Sequence, residues 1–153
     1  MNFECLQENL SRSLGVVVRA VPTKGALPVL SNVLISAANG KVTLTVTNLE
    51  TVITSTFPAI VEKEGTTTVP AKMFNEYISN LNPGKLIISS DRNILSVVSL
   101  PKTKTKFNGM SSVEFPEIPF PNNSKSYLEI NPRILTNLVT HTSFSSSADV
   151  TRP

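Results

Sequence analysis

Residues 66–78, TTTVPAKMFNEYI, decide how the rest of the chain is read, because they begin a pattern that the first residues have already used. Thr66 to Val69 is β-branched throughout and reads as a short strand. Pro70 suits the first turn of a helix, where no backbone N–H is needed. Phe74, Tyr77, Ile78 and then Leu81 recur at the spacing of one helical face, and Asn82-Pro83-Gly84 ends it. Lys72 falls opposite that stripe. Three strands follow: KLIISS from Lys85, NILSVVS from Asn93 and TKTKFN from Thr103, with a turn at Asp91-Arg92-Asn93.

Upstream the same order appears. MNFECLQ alternates as a strand, and residues 8–20 carry Leu10, Leu14, Val17 and Val18 at i, i+4, i+7 and i+8. At about 100° per residue, Arg12 and Arg19 lie on the far side of that helix. PVLSNVLIS from Pro28, KVTLTVT from Lys41 and TVITSTFPAIV from Thr51 then read as three strands. Asn39-Gly40 predicts a type I′ hairpin between the first two. Pro58 is tolerable in the third only near an end or an edge. The first 110 residues thus read twice as strand, helix, three strands. This predicts an α+β fold with two antiparallel sheets and two helices on one side.

The proline-rich segment 113–126, VEFPEIPFPNNSKS, has the composition of a linker. It divides the chain into a first domain at 1–120 and a second at 121–153. In the second, SYLEI at 126–130 reads as a strand, and Asn131-Pro132 supplies an N-cap and a first-turn proline. Ile134, Leu135, Leu138 and Val139 mark a helical face. Sliding the chain until Pro153 lies on Pro28 also lays Leu128 on Phe3, Ile130 on Cys5, Leu135 on Leu10 and Val139 on Leu14. The second domain is therefore expected to repeat the first and to be cut short at Pro153, which implies a fragment.

Composition narrows the function. Hydrophobic residues make up 40% and charged residues 16%, ordinary for a globular chain that buries a core. Fourteen Lys and Arg against eleven Asp and Glu give a net charge of +3, a mild lean toward a polyanionic partner. There is neither a signal-peptide pattern nor an apolar run of membrane-spanning length, so no membrane partner is expected. The single Cys5 cannot form an internal disulfide and reads as a buried small hydrophobe, consistent with a cytoplasmic protein. His141, the single histidine, stands near the end of the third helix, where an imidazolium can meet the helix dipole. One His and one Cys cannot assemble the usual zinc spacings, and no phosphate-binding loop, nucleophile elbow or close carboxylate pair is present. No catalytic residue, metal or cofactor is expected.

Binding residues are better candidates. Arg12, Arg19 and Lys72 occupy outward helix faces, and Lys24 follows the first helix in VPTKGALP. Such cations are either ordinary solvation or, in stacked repeats, a positive face that attracts phosphates without reading bases. Lys102, Lys104 and Lys106 alternate with Thr103, Thr105 and Phe107 in the last strand. That alternation guards a sheet edge or leaves the lysines wet while the strand pairs with a partner.

RAVPTKGALPVLSNVLI at 19–35, TNLE at 47–50, TTTVPAKMFNEYI at 66–78, NGMSSVEFPEIP at 108–119 and FSSSADVTRP at 144–153 together resemble the bacterial sliding clamps, the β subunits of DNA polymerase III. The resemblance implies the processivity-clamp fold, each domain a duplicated βαβββ unit, with three domains to a chain and two chains closed into a homodimer ring. It implies a DNA replication protein that encircles double-stranded DNA without sequence preference and acts as a processivity factor, not an enzyme. Its partners would be DNA polymerase III subunits and the clamp loader. Carried onto this chain, the DNA-binding positions are Lys24, Arg12, Arg19, Lys72 and Arg152, and the subunit-interface positions are Met73, Thr105 and Phe107. Here the aromatic stands two places later than in some members. The alternative is a non-enzymatic α+β adaptor that binds protein partners through an edge strand.

Overall fold

A computed structural model describes residues 1–22, 27–99, 103–118 and 129–146. The chain divides into two compact units, Met1–Ile118 and Pro119–Pro153.

In the first unit, β1 (Asn2–Leu6) alternates so that Phe3 and Cys5 face inward, and α1 (Gln7–Val17) follows without a loop. Short 3-10 turns occupy Val18–Ala20 and Pro28–Ser31. Then come β2 (Asn32–Ala38), β3 (Lys41–Thr47), β4 (Val52–Pro58), β5 (Ile60–Lys63) and β6 (Gly65–Pro70). After α2 (Ala71–Ser79) the unit continues with β7 (Lys85–Asp91), β8 (Ile94–Ser99) and β9 (Thr103–Asn108). The β2–β3 hairpin turns through Asn39 at φ 50° and Gly40 at φ 70°, the pair of positive values that a type I′ turn requires.

The strands form a five-stranded antiparallel sheet, β5-β1-β7-β8-β9, and a four-stranded one, β4-β3-β2-β6. Each repeat lends its first strand to the other. β1 pairs with β7, and β6 pairs with β2. One core joins both sheets and both helices, with Phe3, Leu10, Leu14, Ile35, Leu44, Phe74, Ile78, Ile88 and Leu95 fully buried within it. Each such side chain contributes about 1.5–3 kcal/mol relative to exposure.

Four boundaries differ from the sequence reading. The first helix ends at Val17, before the expected 20, where the β-branched run Val16-Val17-Val18 loses side-chain freedom in a helix. The stretch expected to be a strand from Pro28 opens as a 3-10 turn, with the Leu30 N–H donating to the Leu27 carbonyl at 3.1 Å, and extends only from Asn32. TVITSTFPAIV is two strands in different sheets, because the chain crosses over after Pro58. Pro70 closes β6 and caps α2 instead of lying in its first turn.

The beginning of the expected linker is packed. Ser112–Glu114 is a 3-10 turn, Phe115 is 7% exposed, and the hydroxyls of Thr66 and Ser112 share a hydrogen bond of 2.9 Å. Just ahead of it, Thr68 accepts from the Met110 N–H at 3.2 Å and donates to the Met110 carbonyl at 2.9 Å. A Cβ on Gly109 would collide with the Thr68 carbonyl oxygen, so this approach needs glycine.

In the second unit, α3 (Pro132–Thr142) starts on an Asn131 cap whose side-chain oxygen accepts from the Arg133 N–H at 2.9 Å. Its stripe of Ile134, Leu135, Leu138 and Val139 is exposed. The expected strand at 126–130 lies mostly outside the described residues, and Glu129 and Ile130 are not in a strand.

Candidate functional site

The two helices of the first unit are stitched end to end of the same seam. The buried Gln7 side chain donates from Nε2 to the Ile78 carbonyl at 2.8 Å, and the Gln7 backbone N–H donates to the Gly84 carbonyl at 2.8 Å. The second bond satisfies one of the N–H groups that a helix start leaves without a partner. With Leu10, Leu14 and Val17 of α1 and Ala71, Phe74 and Ile78 of α2 turned into the core, Arg12 and Lys72 are left exposed.

Arg12 borders a shallow hollow of about 290 Å³ between α1 and β4, with Asn9, Ser13, Ser55 and Thr56 around it. Arg19 is exposed too, but it sits in the 3-10 turn beyond α1, so the helical period does not set its direction. Glu8 and Glu76 are exposed on the same helices and balance Arg12 and Lys72 in number, so the positive excess on this side is the single charge of Arg19 in the following turn. None of these three cations is in an ion pair among the described residues, where Lys85 pairs with Glu4. Lys24 and Arg152 lie outside the described residues.

A second constellation forms where α2 meets β9, the edge of the five-stranded sheet. Met73, Thr105 and Phe107 border one hollow of about 380 Å³ together with Pro70, Tyr77, Lys106 and Asn108. Their exposures differ: Met73 is 57% exposed, whereas Phe107 is only 5% exposed. The Phe107 ring meets Phe74 and Tyr77 edge-on, with centroids 5.2 and 5.3 Å away, a geometry that favours aromatic pairs. Phe107 therefore shapes the floor, and Met73 is the protruding apolar group. Sequence reasoning missed Tyr77, whose helical spacing placed it with the core stripe. Its hydroxyl is buried at this hollow and has no hydrogen-bond partner among the described residues.

Candidate chemistry is sparse. A hollow of about 440 Å³ lies beside Cys5, walled by Leu6, Pro58, Ala59 and Ile60. Burial pushes the Cys5 thiol up to about 12, so it stays protonated at neutral pH and is a poor nucleophile. His141 is exposed in the last turn of α3. Among the described residues no group of three or more His, Cys, Asp and Glu is placed to hold a metal, and no helix is long and apolar enough to cross a membrane.

Residues 1–119 match the family profile of the DNA polymerase III beta subunit, N-terminal domain. The chain is 34% identical to the beta sliding clamp of Synechococcus elongatus over 154 aligned residues, covering 99% of this chain and 41% of that protein. Among solved structures it is similar to the DNA polymerase sliding clamp of Bacillus subtilis, with 25% identity, a TM-score of 0.93, and coverage of 100% of this chain and 42% of that one. It is also similar to the sliding clamp of Bartonella birtlesii, with 31% identity, a TM-score of 0.89, and coverage of 99% and 41%. The arrangement of two antiparallel sheets with paired helices is the fold of those clamps. The chain spans about two fifths of the length of these relatives.

Proposed function

We propose that this chain, which belongs to the DNA polymerase III beta subunit family, supplies the first domain (1–120) and the opening of a second (121–153) to a sliding clamp. The clamp is a homodimer ring that encircles duplex DNA in the cytoplasm. It tethers the replicative polymerase, is placed on DNA by a clamp loader, and catalyses nothing itself. The relatives named beta sliding clamp support the reading.

The observation that carries it is the pair of stitched helices with Arg12 and Lys72 outward and without carboxylate partners among the described residues. Cations on flexible side chains attract phosphates without reading base edges, which suits a ring that must slide. Lys24, Arg19 and Arg152 complete the set of DNA contacts. Processivity then arises from effective concentration, since a tethered polymerase that lets go rebinds locally. The hollow of Met73, Thr105 and Phe107 beside the free edge of β9 serves as the subunit interface, and Tyr77 gains its hydrogen-bond partner there.

Removing one phosphate contact, as in Lys24→Ala or Arg12→Ala, lowers the salt slope of duplex binding by about one. Fluorescence anisotropy across a salt series measures it, and an unchanged slope in both variants counts against the helix side as the DNA face. The hollow also suits a second reading, a stand-alone adaptor that binds protein through β9. That reading predicts partner binding that is indifferent to whether DNA is circular or linear.

A further inference from the structure

Gln7 opens α1, is 6% exposed, and is the one residue whose side chain hydrogen-bonds α1 to α2 among the described residues. The fold of a repeat does not call for it. Laying Leu10 on Phe74 and Leu14 on Ile78 places Gln7 on Ala71, which is 1% exposed and fills the corresponding place with a methyl group. Nor does the end of α2 depend on it, since the Ile78 carbonyl that accepts from Gln7 also accepts from the Leu81 N–H at 3.3 Å. A buried amide hydrogen bond adds little net stability, and an apolar side chain of the same length fills such a place as well. What the amide adds is direction. The apolar contacts of Leu10, Leu14, Phe74 and Ile78 are non-directional, whereas a bond of 2.8 Å is met at one placement of α1 on α2.

We propose that Gln7 is a positioning residue for Arg12 and Lys72, an inference that rests on the reading of the helix side as the DNA face. The start of α1 lies at the last turn of α2, and the 3-10 turn after α1 also lies against α2, so the two helices run side by side in opposite directions. Arg12 is five residues beyond Gln7, and Lys72 is six residues before Ile78. At about 1.5 Å per residue both cations stand at nearly the same height, about 7 to 9 Å along the seam from the Gln7 bond. Both are exposed. Phosphates on a duplex are regularly spaced, so a slip of one helix on the other takes one cation of the pair out of register with them.

The test replaces Gln7 in the 153-residue chain, as Gln7→Met, unbranched and of similar length, or as Gln7→Glu, whose carboxyl donates to Ile78 only when protonated. Nitroxides at Arg12→Cys and Lys72→Cys, carried on Cys5→Ala, report the spacing of the two positions by electron paramagnetic resonance. In Gln7→Met the distance distribution shifts or broadens. With Arg12 and Lys72 in place, the salt slope of duplex binding falls by about one, while circular dichroism shows the chain folded. In Gln7→Glu both changes are present at neutral pH and reverse as acid protonates the carboxyl, a rescue that mere support of the core does not give. An unchanged distance distribution in Gln7→Met overturns the proposal, and so does an unchanged slope. Loss of folding in both variants overturns it too, because the side chain then holds the core and not the placement. A slope untouched by Arg12→Ala and Lys72→Ala themselves overturns the DNA face, and this role with it, whatever the distances show.

Discussion

Gly109 and Gly15 carry opposite consequences although both are glycines of the first unit. At Gly109 a methyl group would strike the Thr68 carbonyl oxygen, and Thr68 is fully buried and bound to both Asn32 and Met110. Gly109→Ala is expected to cost about 2–3 kcal/mol in urea denaturation. At Gly15, inside α1, an added Cβ meets nothing within 4 Å, so Gly15→Ala gains up to about 1 kcal/mol from helix propensity. A neutral Gly109→Ala would mean that the 108–110 segment does not hold this close approach. Cys5 supplies a second residue-level test. Its thiol titrates at about 12 in the folded chain against an ordinary 9.0, so the unfolded chain loses its proton first as pH rises. The protonated thiol's contribution is complete below pH 9 and falls by roughly 1.4 kcal/mol per unit between pH 9 and 12. Cys5→Ala removes that part of the alkaline decline, and an identical slope in the two proteins would show that the thiol is not held protonated.

At the scale of elements, what was legible in the sequence was local. Asn39-Gly40 gave away its hairpin because positive φ at two successive residues leaves few other choices. Asn131-Pro132 likewise marked the start of α3. The crossing at Pro58 was hidden, since the apolar residues Phe57, Ile60 and Val61 run on through it, and only pairing partners distant in sequence assign β4 and β5 to different sheets. The same limit applies to the candidate sites. Helical periodicity placed Arg12 and Lys72 outward, but it could not reveal that the Gln7 side chain ties one helix to the other. It also assigned Tyr77 to the core without showing that its hydroxyl lacks a partner among the described residues.

Over the whole molecule, the exchange of first strands makes the two repeats of the first unit interdependent. β1 lies between β5 and β7, so deleting residues 2–6 removes an interior strand and splits the sheet that β7, β8 and β9 complete. Such a deletion is expected to abolish cooperative unfolding of the entire first unit by circular dichroism, because both repeats share one core. Survival of one repeat with its own transition would contradict that interdependence. In the proposed clamp, a single modest patch on the helices binds duplex weakly while a closed ring holds it topologically. Ring closure is decided by loading the full-length gene product that carries these residues onto nicked circular DNA and passing it through a sizing column in high salt. The protein is expected to stay with the circle and to be released when a restriction enzyme linearises it; equal retention on circular and linear DNA would rule out a closed ring.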